Sequence, residues 1–450
     1  MKRSSGPAPD SPALAPEWAN LQVHVSKARF IQKSYENSEW TLSKLSKTIR
    51  RAEESLSVID SGSPAKPSPG EREEGYYADN DDSFQPFLRY LPQAAGDKRK
   101  LPMIVMLHGY SPFLNIANWA GFSSNLVDFA EKEGFCLLSP FGRSNTDFQG
   151  IGEQDVMKAI TAMENRYPVD PDRIILAGYS MGGMGVWTIG AHYPHKFAGL
   201  LVIAARGDYY FWQNIRRDSL PLYKQVLIDT DFAYSLLPNL AGIPVFCLHG
   251  AEDMVVPVQE MRHMVQAVRK VNPRLIYVEP PDAGHELGFD AFARDDVRRW
   301  ALKQRRSVRS NFEYKTYHPK YNRSHWISLA DFRHAALPAL IKVRTFKNTI
   351  KIVSSGIGSA LINSREMPDT CRKMPVATDG NLDVSFSESW NGKAAPRTVC
   401  GPVKQAFLSP FTAVFPADSS DNSSRKLLRR FVFDWYRFTK SYPRVTHENA

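Results

Sequence analysis

Ile174-Ile-Leu-Ala-Gly178-Tyr179-Ser180-Met181-Gly182-Gly183 is the stretch on which the reading of this chain turns. Four apolar residues in a row suit a strand buried on both faces. A Gly-x-Ser-x-Gly sequence follows directly, and residues 181–192 read as a helix. A serine on such a strand-to-helix turn sits in a strained backbone conformation, and the flanking glycines keep strand and helix from colliding. The turn lifts the hydroxyl to the N-terminus of a helix, whose dipole favours a developing negative charge. Ser180 is therefore expected to be a nucleophile. A glycine-rich turn that only packs helix on strand is the plainer alternative.

Outward from this turn, short apolar segments alternate with helical ones. Residues 84–91, 101–107, 135–138, 200–203, 245–248 and 275–278 read as strands, and residues 153–166 and 258–271 as helices. The alternation predicts an α/β fold, a mostly parallel, doubly wound sheet with helices on both faces. Chemistry in such sheets collects beyond the carboxyl ends of the strands.

A serine hydroxyl is a poor nucleophile until a base takes its proton, and in this fold acid and then histidine follow the serine in chain order. Residues 245–248 run into His249-Gly-Ala-Glu-Asp253, and residues 275–278 into Glu279-Pro-Pro-Asp-Ala-Gly284-His285. His285 is the expected base and Asp253 its orienting acid. Glu252 and Asp282 are rival acids, and His249 a rival base that fits a structural hydrogen bond better. For the oxyanion, one donor is expected at the amide of Met181. The second is expected in His108-Gly109-Tyr110, from Tyr110 first and Gly109 second. His108 is expected to shape that loop. Residues 207–244 exceed a simple connection and are expected to cap the site, with Tyr209, Tyr210 and Trp212 as substrate contacts or ordinary packing. Trp119, in the loop 111–119, is a second candidate wall.

Beyond the catalytic region the pattern changes. Residues 1–16 are expected to be a disordered tail, residues 17–59 helical, and Ser61-Gly-Ser-Pro-Ala-Lys-Pro-Ser-Pro-Gly70 a linker. After about residue 310 the segments 321–329, 341–346, 349–353 and 382–386 are short, turn-separated and β-branched, which suggests a small β-rich domain. A strand over 407–415 and a helix over 424–442 complete the chain. The expected domains are residues 1–70 as tail, leader and linker, 71–310 as the catalytic domain, and 311–450 as a β-rich accessory domain with a terminal helix.

Composition narrows the function. The 450 residues are 43% hydrophobic and 23% charged, enough for a large soluble core. The net charge of +10 comes without zinc-finger spacing or an RNA-binding aromatic signature, so nucleic acid is not an expected partner. His318 and His325 read as structural, no metal-ligand cluster is evident, and neither metal nor organic cofactor is expected to be required. Asn322-Arg-Ser324 and Asn422-Ser-Ser424 match the glycosylation pattern, as chance sequences often do. No apolar run reaches the ~20 residues of a membrane span. The N-terminus has no recognisable signal peptide, so a soluble, cytoplasmic protein is expected, with secreted relatives conceivable. Four cysteines in this length are not a disulfide framework. Cys136 and Cys247 read as buried thiols, and Cys371 and Cys400 are a candidate pair if the protein is exported.

Asp170-Pro-Asp-Arg-Ile174 before the elbow, Trp187, Tyr193-Pro-His-Lys-Phe197-Ala, His249-Gly-Ala-Glu-Asp253 with Val256-Pro257, and Gly284-His285 carry a family resemblance. Over roughly residues 72–305 the chain resembles the α/β-hydrolases grouped with prolyl-oligopeptidase-type peptidases and with phospholipase/carboxylesterase or feruloyl-type esterases. The flanks are similar to large bacterial hydrolases of this group, with a helical leader and with Tyr321-Asn-Arg-Ser-His-Trp326 opening a β-rich domain. By that resemblance the C-terminal module is expected to be incomplete. The resemblance implies a serine hydrolase. Prolyl-oligopeptidase-type peptidases usually carry a long β-propeller ahead of the catalytic domain, for which the residues before 72 leave no room. An esterase acting on a small or polymer-linked ester is thus the first expectation. A peptidase is the alternative, and a non-catalytic binding protein the remote one.

Overall fold

A computed structural model describes residues 11–35, 38–93, 100–119, 121–334, 337–380, 382–390, 412–415, 422–439 and 444–447. In chain order its main elements begin with α1 (Ala15–Ser34), α2 (Glu39–Asp60), β1 (Gly70–Ala78), β2 (Ser83–Leu91) and β3 (Leu101–Leu107). Then come α3 (Ser124–Glu133), β4 (Cys136–Pro140), α4 (Ile151–Arg166), β5 (Val169–Tyr179), α5 (Met181–His192) and β6 (Gly199–Ile203). Residues 207–244 carry α6 (Tyr209–Gln213) and α7 (Leu222–Asp231), followed by β7 (Val245–Leu248), α8 (Val258–Arg269), β8 (Ile276–Val278) and α9 (Asp295–Leu302). These elements fall in two compact units, Met1–Leu101 with Tyr110–Val169 and Gln405–Ala450, and Pro102–Gly109 with Asp170–Lys404.

In the first unit β1 pairs antiparallel with β2, and β2 with β4. Helix α1 lies on β1 at Gly75, where a Cβ would meet the Ala19 carbonyl oxygen and Val23 Cγ2 at 2.6 Å. Asn20 Oδ1 accepts the Gly75 amide there at 2.7 Å. Residues 11–16 depart from the expected tail: Pro12–Leu14 form a 3-10 turn, α1 starts at Ala15, and the buried Leu14 side chain anchors the turn. Residues 1–10 lie outside the described residues. The leader is two helices, α1 and α2, either side of residues 36–37. Strand β1 was not foreseen, because Gly-Glu-Arg-Glu-Glu-Gly reads as solvated. Its carboxylates are instead paired inside: Glu73 with Lys27, and Glu74 with Arg89 and Arg166.

In the second unit the strand order is β3-β5-β6-β7-β8. Strands β5 to β8 are parallel, in registers that set Tyr179 against Ile203 and Ile203 against Leu248. The ends of β5, β6 and β7 are thereby level, so Ser180, the chain after Ile203 and His249 leave the sheet together. Beyond α9 the same unit holds β9 (Phe312–Thr316), β10 (Arg323–Ser324), β11 (Ile327–Phe332), β12 (Ala339–Phe346), β13 (Thr349–Ser355), β14 (Ile357–Asn363), β15 (Val376–Thr378) and β16 (Asp383–Ser387). They make two four-stranded sheets, β10-β11-β14-β16 and β15-β13-β12-β9. Alternate residues such as Ile341, Val343, Ile350, Ile352, Leu329 and Ile362 fill one core around Trp326 and Tyr314. The strand expected over 321–329 is broken at His325, whose φ of 48° turns the chain between β10 and β11.

Near the C-terminus the first unit adds β17 (Thr412–Phe415), α10 (Asn422–Thr439) and β18 (Arg444–His447), with β17 parallel to β18. Residues 407–411 of the expected strand and 440–442 of the expected helix lie outside the described residues. Cys136, Cys247 and Cys371 are buried free thiols, and Cys400, the suggested partner of Cys371, lies outside the described residues. Among the described residues no helix is long and apolar enough to cross a membrane.

Candidate active site

Ser180 takes the conformation that the elbow sequence implies, with φ 56° and ψ −119°. A non-glycine residue there pays a backbone strain of order 1–3 kcal/mol, which the surroundings must hold. The glycines show how. A Cβ on Gly178 would lie 2.4 Å from the Gly182 carbonyl oxygen, one on Gly182 would lie 2.1 Å from the Leu107 carbonyl oxygen, and one on Gly183 would lie 2.6 Å from Ala205 Cβ. Strand, turn and helix are so close that only hydrogen fits. The Ser180 amide donates to the Ile203 carbonyl at 2.9 Å, tying the turn to the neighbouring strand.

The loop after β8 brings His285 to the serine. Its Nε2 lies 3.0 Å from Ser180 Oγ and its Nδ1 2.7 Å from Asp253 Oδ2. With Nδ1–H donating to the carboxylate, Nε2 is the acceptor for the serine proton. Asp253 is buried, and its other oxygen accepts the amides of Val255 and Val256 at 2.9 and 2.8 Å. The carboxylate is thus fixed before it fixes the imidazole. Glu252 and Asp282, the rival acids, are exposed. His249 donates from Nε2 to the Val256 carbonyl at 2.9 Å, 3.2 Å from Asp253 Oδ2, and burial lowers its pKa, so it serves as a neutral support of the acid loop.

Tyr179, which the sequence reading passed over, is part of this array. Its ring lies 4.9 Å from the His285 ring. It is clamped between Gly109, whose Cβ would meet it at 3.1 Å, and Gly288, whose Cβ would overlap it at 1.7 Å. Two glycines far apart in sequence are the trace of this clamp in the chain, and nothing local links Gly288 to Gly109.

The other expected residues fall as follows. Gly109 abuts the elbow, where its Cβ would lie 3.7 Å from Ser180 Cβ. His108 is buried and its Nδ1 donates to the Gly109 carbonyl at 3.0 Å, shaping the loop. Met181 opens α5, where the first amides of a helix have no intrahelical acceptor. Tyr110 and Trp119 belong to the first unit; Tyr110 is exposed, and Trp119 packs edge-on against Phe141. Tyr209, Tyr210 and Trp212 sit on α6. Tyr210 donates to Asp229 at 3.0 Å, whereas Trp212 is exposed beneath the Arg206 guanidinium, 3.3 Å from its ring centre. Among the described residues no group of three or more His, Cys, Asp or Glu side chains suits a metal ion.

Residues 146–303 match the prolyl oligopeptidase family. An uncharacterized secreted protein of Arthroderma benhamiae is 36% identical over 205 residues, 41% of this chain and 21% of that protein. The match thus spans about a fifth of that relative's length. A putative carboxymethylenebutenolidase of Salmonella typhimurium is 26% identical over 236 residues, 52% of this chain and 80% of that protein. Among solved structures, that of a thermostable esterase aligns with TM-score 0.42 and 19% identity over 52% of this chain and 63% of that one. The prolyl oligopeptidase match covers Ser180, Asp253 and His285, and the parallel strands with their helices have the α/β-hydrolase fold.

Proposed function

We propose that this protein hydrolyses carboxylic esters through an acyl-enzyme on Ser180. The observation that carries the proposal is one imidazole bridging a strained serine hydroxyl and a buried, doubly amide-bonded carboxylate. In the first half-reaction Ser180 Oγ bonds to the carbonyl carbon while its proton passes to His285 Nε2. Asp253 holds the tautomer and stabilises the imidazolium. The oxyanion settles on the amide of Met181, with the backbone of the Gly109 loop as the second donor. The carbon–oxygen bond to the alcohol then breaks as His285 returns the proton to the leaving oxygen. Water enters by the reverse route, gives its proton to His285, and releases the acid and free Ser180. Tyr209 and Trp212 are proposed to border the substrate.

The peptidase reading has the family match in its favour. Against it stands the leaving group: an amine departs less readily than an alcohol, so amide cleavage demands more from subsites.

A series of p-nitrophenyl esters run beside aminoacyl-p-nitroanilides separates the two. Ester turnover far above anilide turnover is expected, and anilide rates equal to the ester rates would favour the peptidase. Ser180→Ala should lower kcat by at least ~10³-fold with an unchanged melting temperature. Retention of most activity in that variant would end the proposal.

A further inference from the structure

The first unit holds a cavity of about 790 Å³, open to solvent and lined by none of the residues placed around Ser180. It runs along the outer edge of β1, between the start of α1 and the end of α4. Gly75 marks that edge: its amide goes to Asn20 Oδ1 at 2.7 Å and its carbonyl to Arg166 at 2.5 Å, where a further strand would otherwise pair. Residues 64–68 close the outer side. That wall is fixed, because Pro64 and Pro67 stiffen it and Arg89 donates to the carbonyls of Ser68 and Gly70 at 2.8 and 2.7 Å. Ala15, Pro16, Pro64, Pro67, Met157 and Ala162 give the cavity an apolar lining. Its size suits a small organic molecule.

The charges around it do not balance. Lys66, Arg72, Arg89, Lys158 and Arg166 line the cavity, against the carboxylates of Glu17 and Glu74. Lys158 is paired with Asp79. Glu74 accepts from Arg89 at 3.0 Å, from Arg166 at 2.9 Å and from the Tyr167 hydroxyl. Burial opposes its ionisation, but Arg166, Tyr167 and Arg89 outweigh burial and lower its pKa, so one negative charge meets two guanidinium groups. The register adds a third. Arg72 stands directly opposite Arg89 across β1 and β2, and residues 72 and 74 share one face of the strand. Like charges opposite each other weaken a sheet unless something lies between them. Neither Arg72 nor Lys66 has an ion-pair partner among the described residues. Arg72 is half-buried in the lining, and the Arg166 side chain keeps 13% exposure with N–H groups beyond those given to Glu74 and Gly75.

We propose that this cavity binds a small carboxylate with an apolar body. The carboxylate supplies the missing counter-charge to Arg72 and Arg166, whose planar forks suit it, and the body lies against Pro16, Met157 and Ala162. Glu17 and Glu74 in the same lining disfavour a doubly charged phosphate. The site stands independently of the esterase reading.

Calorimetric titration of the full chain with 4-phenylbutyrate and with hexanoate, each beside its neutral amide, and with inorganic phosphate tests this. At least one carboxylate should bind, with its amide roughly tenfold weaker or more and phosphate weaker than the acid. Arg72→Gln should weaken the acid about tenfold, and Ala162→Trp, which fills the cavity, should abolish binding. Both variants should keep the native kcat/KM on p-nitrophenyl butyrate, and the bound acid should not compete with that ester. The acid–amide comparison is made on the native protein and needs no variant. No binding of either acid at millimolar concentration, or amides that bind as well as acids, would overturn the proposal. So would an affinity that survives both substitutions, or competition with the ester, which would move the acid to the Ser180 site.

Discussion

Glu260 carries a cost that pH can reveal. Burial pushes its pKa up from the ordinary 4.5 to about 7, against a lowering by Arg206. The unfolded chain loses this proton near the usual carboxylate range, and the folded chain holds it until about 7. Between those values the native state binds more protons, so the group's stabilising share is complete below about 4.5 and is lost as pH rises through 7. Gln at this position is neutral throughout. Glu260→Gln should therefore melt close to the native protein at pH 5 and above it at pH 8, by the equivalent of on the order of 1–3 kcal/mol. Thermal melts at the two pH values check this; a difference that does not change with pH would mean the carboxyl is not charged against its surroundings. Ser180 makes a similar bargain in backbone strain, held by Gly178, Gly182 and Gly183. The two costs differ in legibility. The strained serine announces itself by its glycines, while Glu260 is a lone acid on an amphipathic helix that nothing local marks as buried.

Elements were readable where a single period ruled. Strand β5 and helix α5 follow from an unbroken apolar run, an elbow and a helical pattern, and α5 begins and ends where the sequence reading put it. The approach of Asp253 and His285 to Ser180 was readable because β7 and β8 each end one loop before a titratable residue. Strand β1 was hidden because its charges are compensated from α1, β2 and α4, partners that no local window contains. Strand β9 was missed although it buries alternate residues, β14 was missed with its irregular burial, and β10 and β11 were merged because nothing local marks His325 as the turn. The tyrosine clamp at Tyr179 depends on Gly109 and Gly288 meeting across the site, which is a tertiary fact. Helix α1 offers a test at this scale. Its seat on β1 needs the absence of a side chain at Gly75, since a Cβ there would press on the Ala19 backbone and Val23. Gly75→Ala should lift α1 from the strand and strand Asn20 without its amide donor. Limited proteolysis should then cut within residues 15–34 much faster than in the native chain. Equal cleavage rates would show that the helix does not depend on this contact.

The second compact unit joins the parallel strands to the β-rich sheets, and the join runs through the helix that follows Ser180. Ser180 stands at the N-cap of α5, and the other end of that helix is held from outside the sheet. Tyr314 in β9 donates to the His192 carbonyl at 3.1 Å, and the Tyr321 ring stacks on the His192 imidazole at 3.6 Å. Asn239 ties three segments at one point. Its Nδ2 donates to the carbonyls of Ala191 and Lys315, both at 2.8 Å, and its Oδ1 accepts the Lys315 amide at 2.7 Å. Asn239 is buried, so removing its side chain takes a partner from two carbonyls and an amide. Such losses cost ~2–4 kcal/mol. If the sheets were an independent appendage, Asn239→Ala would loosen them and leave the active site at its native stability. The shared helix argues otherwise: the strain at Ser180 is held by an α5 whose far end rests on β9. In urea, loss of ester hydrolysis and loss of intrinsic tryptophan fluorescence should have one midpoint in the native protein. In Asn239→Ala that midpoint should fall by roughly 0.5–1 M, with the two signals still together. A variant whose fluorescence transition moves ahead while activity keeps its native midpoint would show that the β-rich sheets unfold by themselves and do not brace the nucleophile.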